Sequence, residues 1–240
     1  MSFLSWAASP ASPLAAPAED GPGNPWLSWR YVRDNADLLL SNLQDHAWLT
    51  ARAVLIALVI ALPLAVVSYW WRSLTGPILA LSGILYTIPS LALLALVAPA
   101  VGTTTDLSVL IALVLYALLV LVRNALAGLT QVPDEVREAA AGMGYGKFGR
   151  LWRIELPLAL PGILTGLRLA TVSTVALVTV GGIIGKGALG DLILGGFRNN
   201  FYKAQILTAS VLCVLLALVL DLLLAGIGRA LTPWVRRRAA

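Results

Sequence analysis

Residues 53–71 run for 19 positions without a charged side chain, between Arg52 and Arg72. At about 1.5 Å of rise per residue, a helix of that length crosses a hydrocarbon layer of about 30 Å. Trp48, Trp70 and Trp71 flank the run, where amphipathic indoles settle at a membrane interface. Four more such runs follow. Residues 78–101 are uncharged but interrupted by Tyr86-Thr87-Ile88-Pro89-Ser90, and 107–122 are uncharged throughout. Residues 158–184 hold only Arg168, and 204–227 hold only Asp221. None of these runs alternates as a barrel strand would, and a chain in lipid must satisfy its own backbone polar groups. The expectation is therefore an all-α membrane protein with about five transmembrane helices.

Composition agrees. Of 240 residues 59% are hydrophobic and 12% charged, against about 25% charged in a soluble globular domain. The net charge of +5 does not signal nucleic acid, because the basic residues sit in short flanks of the apolar runs rather than on one face. Cys213 is the single cysteine and His46 the single histidine. An intrachain disulfide, a Cys-based metal site and a His zinc cluster are excluded, and His46 reads as an interfacial polar residue. No metal ligand set, cofactor site or catalytic residue is expected. Gly185-Lys186-Gly187 and Gly146-Lys147-Phe148 lack the Ser or Thr and the earlier glycine of a P-loop, so ATP would have to be bound by another subunit.

The remaining segments divide by composition. Residues 1–25 carry Pro10, Pro13, Pro17, Pro22 and Pro25 among Ala and Ser, which predicts a disordered tail. With Arg30 the first basic residue, that tail does not resemble a cleaved signal peptide and is expected to be retained. Residues 26–50 mix Trp26, Trp29, Tyr31 and Leu38 to Leu40 with Arg30, Arg33, Asp34 and Asp37, an amphipathic segment expected along the outer surface. Residues 51–234 form the transmembrane domain, and 235–240 a basic cytoplasmic tail. Placing residues 123–157 inside puts ten basic residues on that side and six on the other. The positive-inside rule then favours an N-terminus outside and a C-terminus in the cytoplasm of a multi-pass plasma-membrane (inner-membrane) protein.

Between the third and fourth apolar runs lies a charged insert, residues 132–157. Pro133 suits a first helical turn, and Asp134 and Glu135 complement the N-terminal helix dipole. Small residues follow, then Gly142 and Gly144, which end a helix of one or two turns. A second segment places Tyr145, Phe148, Leu151, Trp152 and Glu155 near one helical face and Lys147, Arg150 and Arg153 near the other. Glu138-Ala139-Ala140, three residues, Gly144, nine residues, then Ile154, Leu156 and Pro157 resembles the cytoplasmic coupling loop of ABC importer permease subunits, of the type I importer fold.

From about residue 51 to 234 the chain resembles the permeases of osmoprotectant importers, which carry glycine betaine, choline, carnitine and related amines. The similar passages are Tyr86-Thr87-Ile88-Pro89-Ser90-Leu91-Ala92, Arg123-Asn124, Leu156 to Pro161, and Gly185 to Asp191. Family members often have Gly or Ala where Lys186 stands. The resemblance implies that Glu138 and its alanines enter a groove on a cytoplasmic ATPase, with Gly144 making the turn. It also implies an extracytoplasmic solute-binding protein and a second permease, either a copy or a paralogue. An importer of another small solute such as an amino acid, a channel or secondary transporter, and a non-transporting scaffold remain as alternatives. Five spans without two repeated halves speak against a secondary transporter.

Three further features are candidates. Arg168 and Asp221 lie about 16 and 12 Å from the cytoplasmic ends of their runs by helix rise, and charges at such depth rarely face lipid; they are expected to pair. Tyr86, Thr87, Pro89 and Tyr116 could line a path, with Tyr86 and Tyr116 offering aromatic faces to a quaternary ammonium. Seven of the 16 residues 181–196 are glycine, and Gly162 with Gly166 makes a small-residue face. Packing within the chain and approach of two subunits both account for these glycines.

Overall fold

The computed structural model of the chain describes residues 23–101 and 105–236, and among them no strand occurs. Residues 1–22 of the expected tail 1–25 and 237–240 of the basic end 235–240 lie outside the described residues.

A short helix α1 (Trp29–Asp34) starts at Ser28, whose hydroxyl accepts from the Tyr31 N–H at 3.2 Å. After Asn35 comes α2 (Ala36–Trp70), 35 residues in one piece. Residues 26–50 are thus two elements, the second being the opening of the first span. The physical reason is that nothing between Ala36 and Trp70 stops a helix. Pro63 lacks one N–H, but Ala57, Ala61 and Ala65, all at 0% exposure, bury one face along its length. The amphipathic residues also meet protein: Tyr31 and Leu39 pack with Leu189, Leu192 and Ala204, and Tyr31 meets Tyr202 edge-on at 5.4 Å. Asn24 clamps the same region, donating to the Phe201 carbonyl at 2.8 Å and accepting from the Lys203 N–H at 2.9 Å.

His46 is enclosed by protein: it has 0% exposure, and its Nε2 lies 3.0 Å from the Val175 carbonyl. A spacing argument along one helix does not reveal that a second helix covers the same position.

The second apolar run is broken. Helix α3 (Arg72–Thr87) and α4 (Ser90–Val101) meet at 95°. Ile88, held extended ahead of Pro89, separates them at φ −64° and ψ 126°. The Ile88 carbonyl, freed by the break, accepts the Tyr116 hydroxyl.

Helix α5 (Asp106–Thr130) is the most enclosed span and lies against α2 and α8 (Leu156–Val178). Ala53, Ala57, Leu113, Ala117, Leu121, Val122 and Ala170 make their shared core. The α5 and α8 backbones touch. A Cβ on Gly128 would stand 2.7 Å from the Ala159 carbonyl, and one on Gly166 would stand 2.4 Å from the Asn124 Cβ. The Gly162 and Gly166 face is therefore spent on packing within the chain.

A 3₁₀ turn, Thr179–Ile184, leads to Gly185 at φ 69° and then to α9 (Leu189–Arg198) and α10 (Lys203–Leu231). Gly181, Gly182, Gly187, Gly190 and Gly196 also pack internally, Gly190 so tightly that a Cβ would reach within 2.3 Å of the Thr179 carbonyl. Lys186 pairs with Asp106 at 3.3 Å, tying the turn to the start of α5. Nearby Asp191 accepts the Gly187 N–H at 3.0 Å, while burial pushes its carboxyl above the ordinary carboxylate range. Among the described residues four helical stretches, α2, α5, 147–184 and α10, are long and apolar enough to cross a membrane, and α3 with α4 adds a bent pair that makes a fifth if the two count as one broken span rather than a re-entrant loop.

Candidate functional site: a glycine-ended helix on the rim of the bundle

Helix α6 (Asp134–Gly142) begins after Pro133 with Asp134 and Glu135 in its first turn. Its far end is closed by two hydrogen bonds. The Tyr145 N–H donates to the Ala140 carbonyl at 3.1 Å and the Gly144 N–H to the Ala141 carbonyl at 3.0 Å. This is a Schellman ending, which requires a left-handed residue at its hinge, and Gly144 stands there at φ 84°. Among the motif residues Ala140 is fully covered, whereas Glu138, Ala139 and Gly144 face outward. The small, bare side of α6 is thus the side free to meet another molecule.

The opposite side is fastened. Arg137 forms an ion pair with Asp134, donates through Nη1 to the Tyr69 hydroxyl at 2.9 Å, and holds its guanidinium 5.9 Å from that ring's centroid. The bond to Tyr69 is the main cause lifting the Arg137 pKa above its usual value. Tyr69 is the penultimate residue of α2, so α6 is tied to the foot of the first span. Beside it Trp70 meets Phe148 edge-on at 5.0 Å.

The insert's second segment is not a separate surface helix. A single turn, α7 (Lys147–Arg150), passes through a π turn, Leu151–Glu155, directly into α8. The widened turn has a cause in the motif itself: Pro157 has no N–H for the preceding turn, and the Leu156 N–H donates to Leu151 instead. Ile154, Leu156 and Pro157 are consequently half-buried helix residues at the base of a span. The expected helical face also divides. Leu151 and Glu155 are buried at 4% and 0% exposure, while Phe148 and Trp152 stand out at 68% and 70%. Arg150 and Glu155 would sit about 140° apart on an α-helix. The π turn brings them together, with Arg150 Nε donating to Glu155 Oε1 at 2.7 Å.

Other predicted residues fall elsewhere. Arg168 and Asp221 form a two-point pair between α8 and α10, Nε to Oδ1 at 2.8 Å and Nη2 to Oδ2 at 2.7 Å. Tyr86 and Tyr116 stack edge-on at 5.7 Å between centroids. Tyr116 is buried at 7% exposure, Tyr86 lies open at 45%, and Thr87 bonds back to the Ile84 carbonyl at 2.8 Å. The cavity beside Tyr116, lined by Ser90, Leu94 and Gly181, measures about 20 Å³. That is room for about one water and far below the roughly 300 Å³ of a small-molecule site. Missed by sequence reasoning were Tyr69 and Glu155. Glu155 occupies the free position between Ile154 and Leu156 of the motif, and its charge one residue before Leu-Pro was the signal available.

A multi-span helical bundle carrying one short glycine-ended helix on its rim is built as a permease subunit of a transport complex. The chain belongs to the family of the binding-protein-dependent transport system inner membrane component, whose model matches residues 53–237. It is 38% identical over 207 residues to the osmoprotectant import permease protein OsmW of Salmonella typhimurium, covering 85% of this chain and 96% of that protein. It is 32% identical over 208 residues to the glycine betaine/carnitine/choline transport system permease protein OpuCD of Bacillus subtilis, covering 87% and 90%. In fold it is similar to the inward facing MetNI methionine ABC transporter, at a TM-score of 0.73 and 22% identity over 83% of this chain and 98% of that one.

Proposed function

We propose that the chain forms, with a second permease, the membrane path of an ABC importer for a quaternary-amine osmoprotectant such as glycine betaine, choline or carnitine. The supporting observation is α6. Its outward side is small and carries Glu138, its inward side is tied to the bundle by Arg137 and Tyr69, and its end is fixed by Gly144. A cytoplasmic ATPase grips that outward side, and a solute-binding protein delivers cargo to the opposite membrane face. The chain itself makes and breaks no covalent bond and holds no cofactor. On this reading α6 and the C-terminus are cytoplasmic and the N-terminus is outside. The exposed ring of Tyr86 is the aromatic face offered to a quaternary ammonium at the subunit interface.

Reconstitution with the ATPase and binding protein tests the reading. ATP hydrolysis rises on adding glycine betaine, choline or carnitine, and an amine-reactive label reaches Lys147 only from the inner face. Stimulation by an amino acid instead, or labelling of Lys147 from outside, overturns it.

A further inference from the structure

The pair of Arg168 and Asp221 is not sealed inside the bundle. The Arg168 side chain keeps 42% of its surface exposed and that of Asp221 keeps 25%, at a depth where a charge seldom faces lipid. Asp221 takes one proton from Nε and one from Nη2, whereas a guanidinium carries five N–H groups. The rest of that edge needs an acceptor.

Arg168 stands in the wall of a cavity of about 220 Å³ between α8 and α10, about ten times the size of the one beside Tyr116. Both helices reach it from their ends nearest the insert, α8 through Pro161 and Thr165 and α10 through Arg229 and Thr232. The cavity therefore lies in the half of the membrane on the α6 side.

Its lining is of two kinds. Arg168 and Arg229 are the charged residues and no acidic side chain takes part, while Leu164, Leu224 and Ala225 make an apolar wall. The hydroxyls of Thr165 and Thr232 already donate to the Pro161 and Gly228 carbonyls at 2.9 and 2.7 Å, so the donors on offer are guanidinium N–H groups. Such forks match an anion with several oxygens, phosphate above all. Beyond the cavity Leu218, Leu222 and Leu223 stand exposed along α10, a track for an acyl chain.

We propose that this cavity holds the phosphate of an anionic phospholipid in the leaflet on the α6 side, with Arg168 and Arg229 on the phosphate oxygens and an acyl chain along α10. The lipid satisfies the open edge of Arg168 and fills the gap between the two helices. The inference needs only that α8 and α10 cross a membrane, and it stands whatever solute the protein carries.

Native mass spectrometry tests it, on the full-length chain released from micelles holding equal amounts of dioleoyl phosphatidylglycerol and dioleoyl phosphatidylcholine. The wild type retains one phosphatidylglycerol per chain with a preference of about tenfold or more, as two basic residues near an anionic head group give. Arg229→Gln lowers that preference about fivefold, the weight of one such residue. Ala225→Leu, which fills the cavity and keeps both charges, lowers it as well. Arg72→Gln removes an exposed arginine outside the cavity and leaves it unchanged. Equal retention of the two lipids by the wild type overturns the proposal. So does an equal loss in Arg72→Gln, the mark of diffuse attraction, and so does displacement of the lipid by millimolar inorganic phosphate, which gives the cavity to a free anion. If Arg229→Gln and Ala225→Leu keep the lipid but turn a two-chain mass into one chain, a second copy fills the cavity and the proposal falls. Thermal melting followed by circular dichroism checks the two variants, whose substitutions fall at exposed and half-buried positions; loss of fold in both assigns these residues to packing and overturns the site.

Discussion

Arg168 and Asp221 meet side-on across α8 and α10, two nitrogens on two oxygens at 2.8 and 2.7 Å. The fork of a guanidinium matches a carboxylate in this way only when both helices hold their rotation about their own axes. The pair therefore fixes the register of the last span against the one that leads from the insert.

Replacing Arg168 or Asp221 by Ala leaves a lone charge within a membrane helix. Both single variants lose thermal stability in detergent, and the exchanged pair Arg168→Asp with Asp221→Arg recovers a substantial part of the loss. Unfolding followed by tryptophan fluorescence measures this. A swap no better than the single variants shows that the pair is not a stabilising contact.

Gly144→Ala places a Cβ at φ 84°, which costs about 1–2 kcal/mol and therefore weakens any contact made by a correctly ended α6 by about five- to thirtyfold. Gly144→Asn is milder, because Asn tolerates the left-handed region. Retention of the ATPase on affinity-tagged permease orders the three proteins as glycine, asparagine, alanine.

Gly128→Ala and Gly166→Ala press a methyl into the seam where contacts would fall to 2.7 and 2.4 Å. Overpacking of this kind costs about 1–3 kcal/mol. Gly226→Ala meets nothing within 4 Å and is neutral or stabilising by up to about 1 kcal/mol, the helix propensity of Ala over Gly. Melting temperatures of the three variants in one detergent make the comparison.

His46→Leu removes the contact to the Val175 carbonyl from a fully enclosed site. The expected loss is about 1–3 kcal/mol, larger than for His46→Gln, whose amide can still donate. Denaturation in mixed micelles, with the helical signal as readout, distinguishes the two.

Asp191 gives a dependence on pH. Its folded pKa is raised above 3.8, mainly by burial. The folded state therefore keeps the proton that the unfolded chain releases first. Stability falls as pH rises from about the ordinary Asp value through the raised one, and is level beyond it. Asp191→Asn keeps an acceptor for the Gly187 N–H and flattens that decline. An unchanged slope in the Asn variant assigns the decline to other groups.

The spans were legible because charge-free length and flanking tryptophans are local facts, and Asp134, Gly142 and Gly144 mark the limits of α6 by local chemistry. The partnership of Arg168 with Asp221 was legible too, since only two charges lay deep in the apolar runs. What sequence could not supply was contact between distant segments. Tyr69 has no local signal of its own beside Trp70 and Trp71, and its value comes from Arg137, 68 positions away. His46 needed Val175, 129 positions on. The π turn escaped because a regular 100° wheel puts Arg150 and Glu155 on different faces, and only the missing N–H of Pro157 hints that the winding changes. The glycines allowed two readings, and for Gly162 and Gly166 the closeness of α5 to α8 supplies packing within the chain.

That closeness has a mechanical side. Two rods that come spine to spine at Gly128 and Gly162, with only the short Asn124 side chain against Gly166, have little room to slide or yield. A push at the foot of one is carried along both, so the pair acts as a stiff beam, and whatever flexing the subunit performs is left to the kink at Pro89 and to the turns at either end.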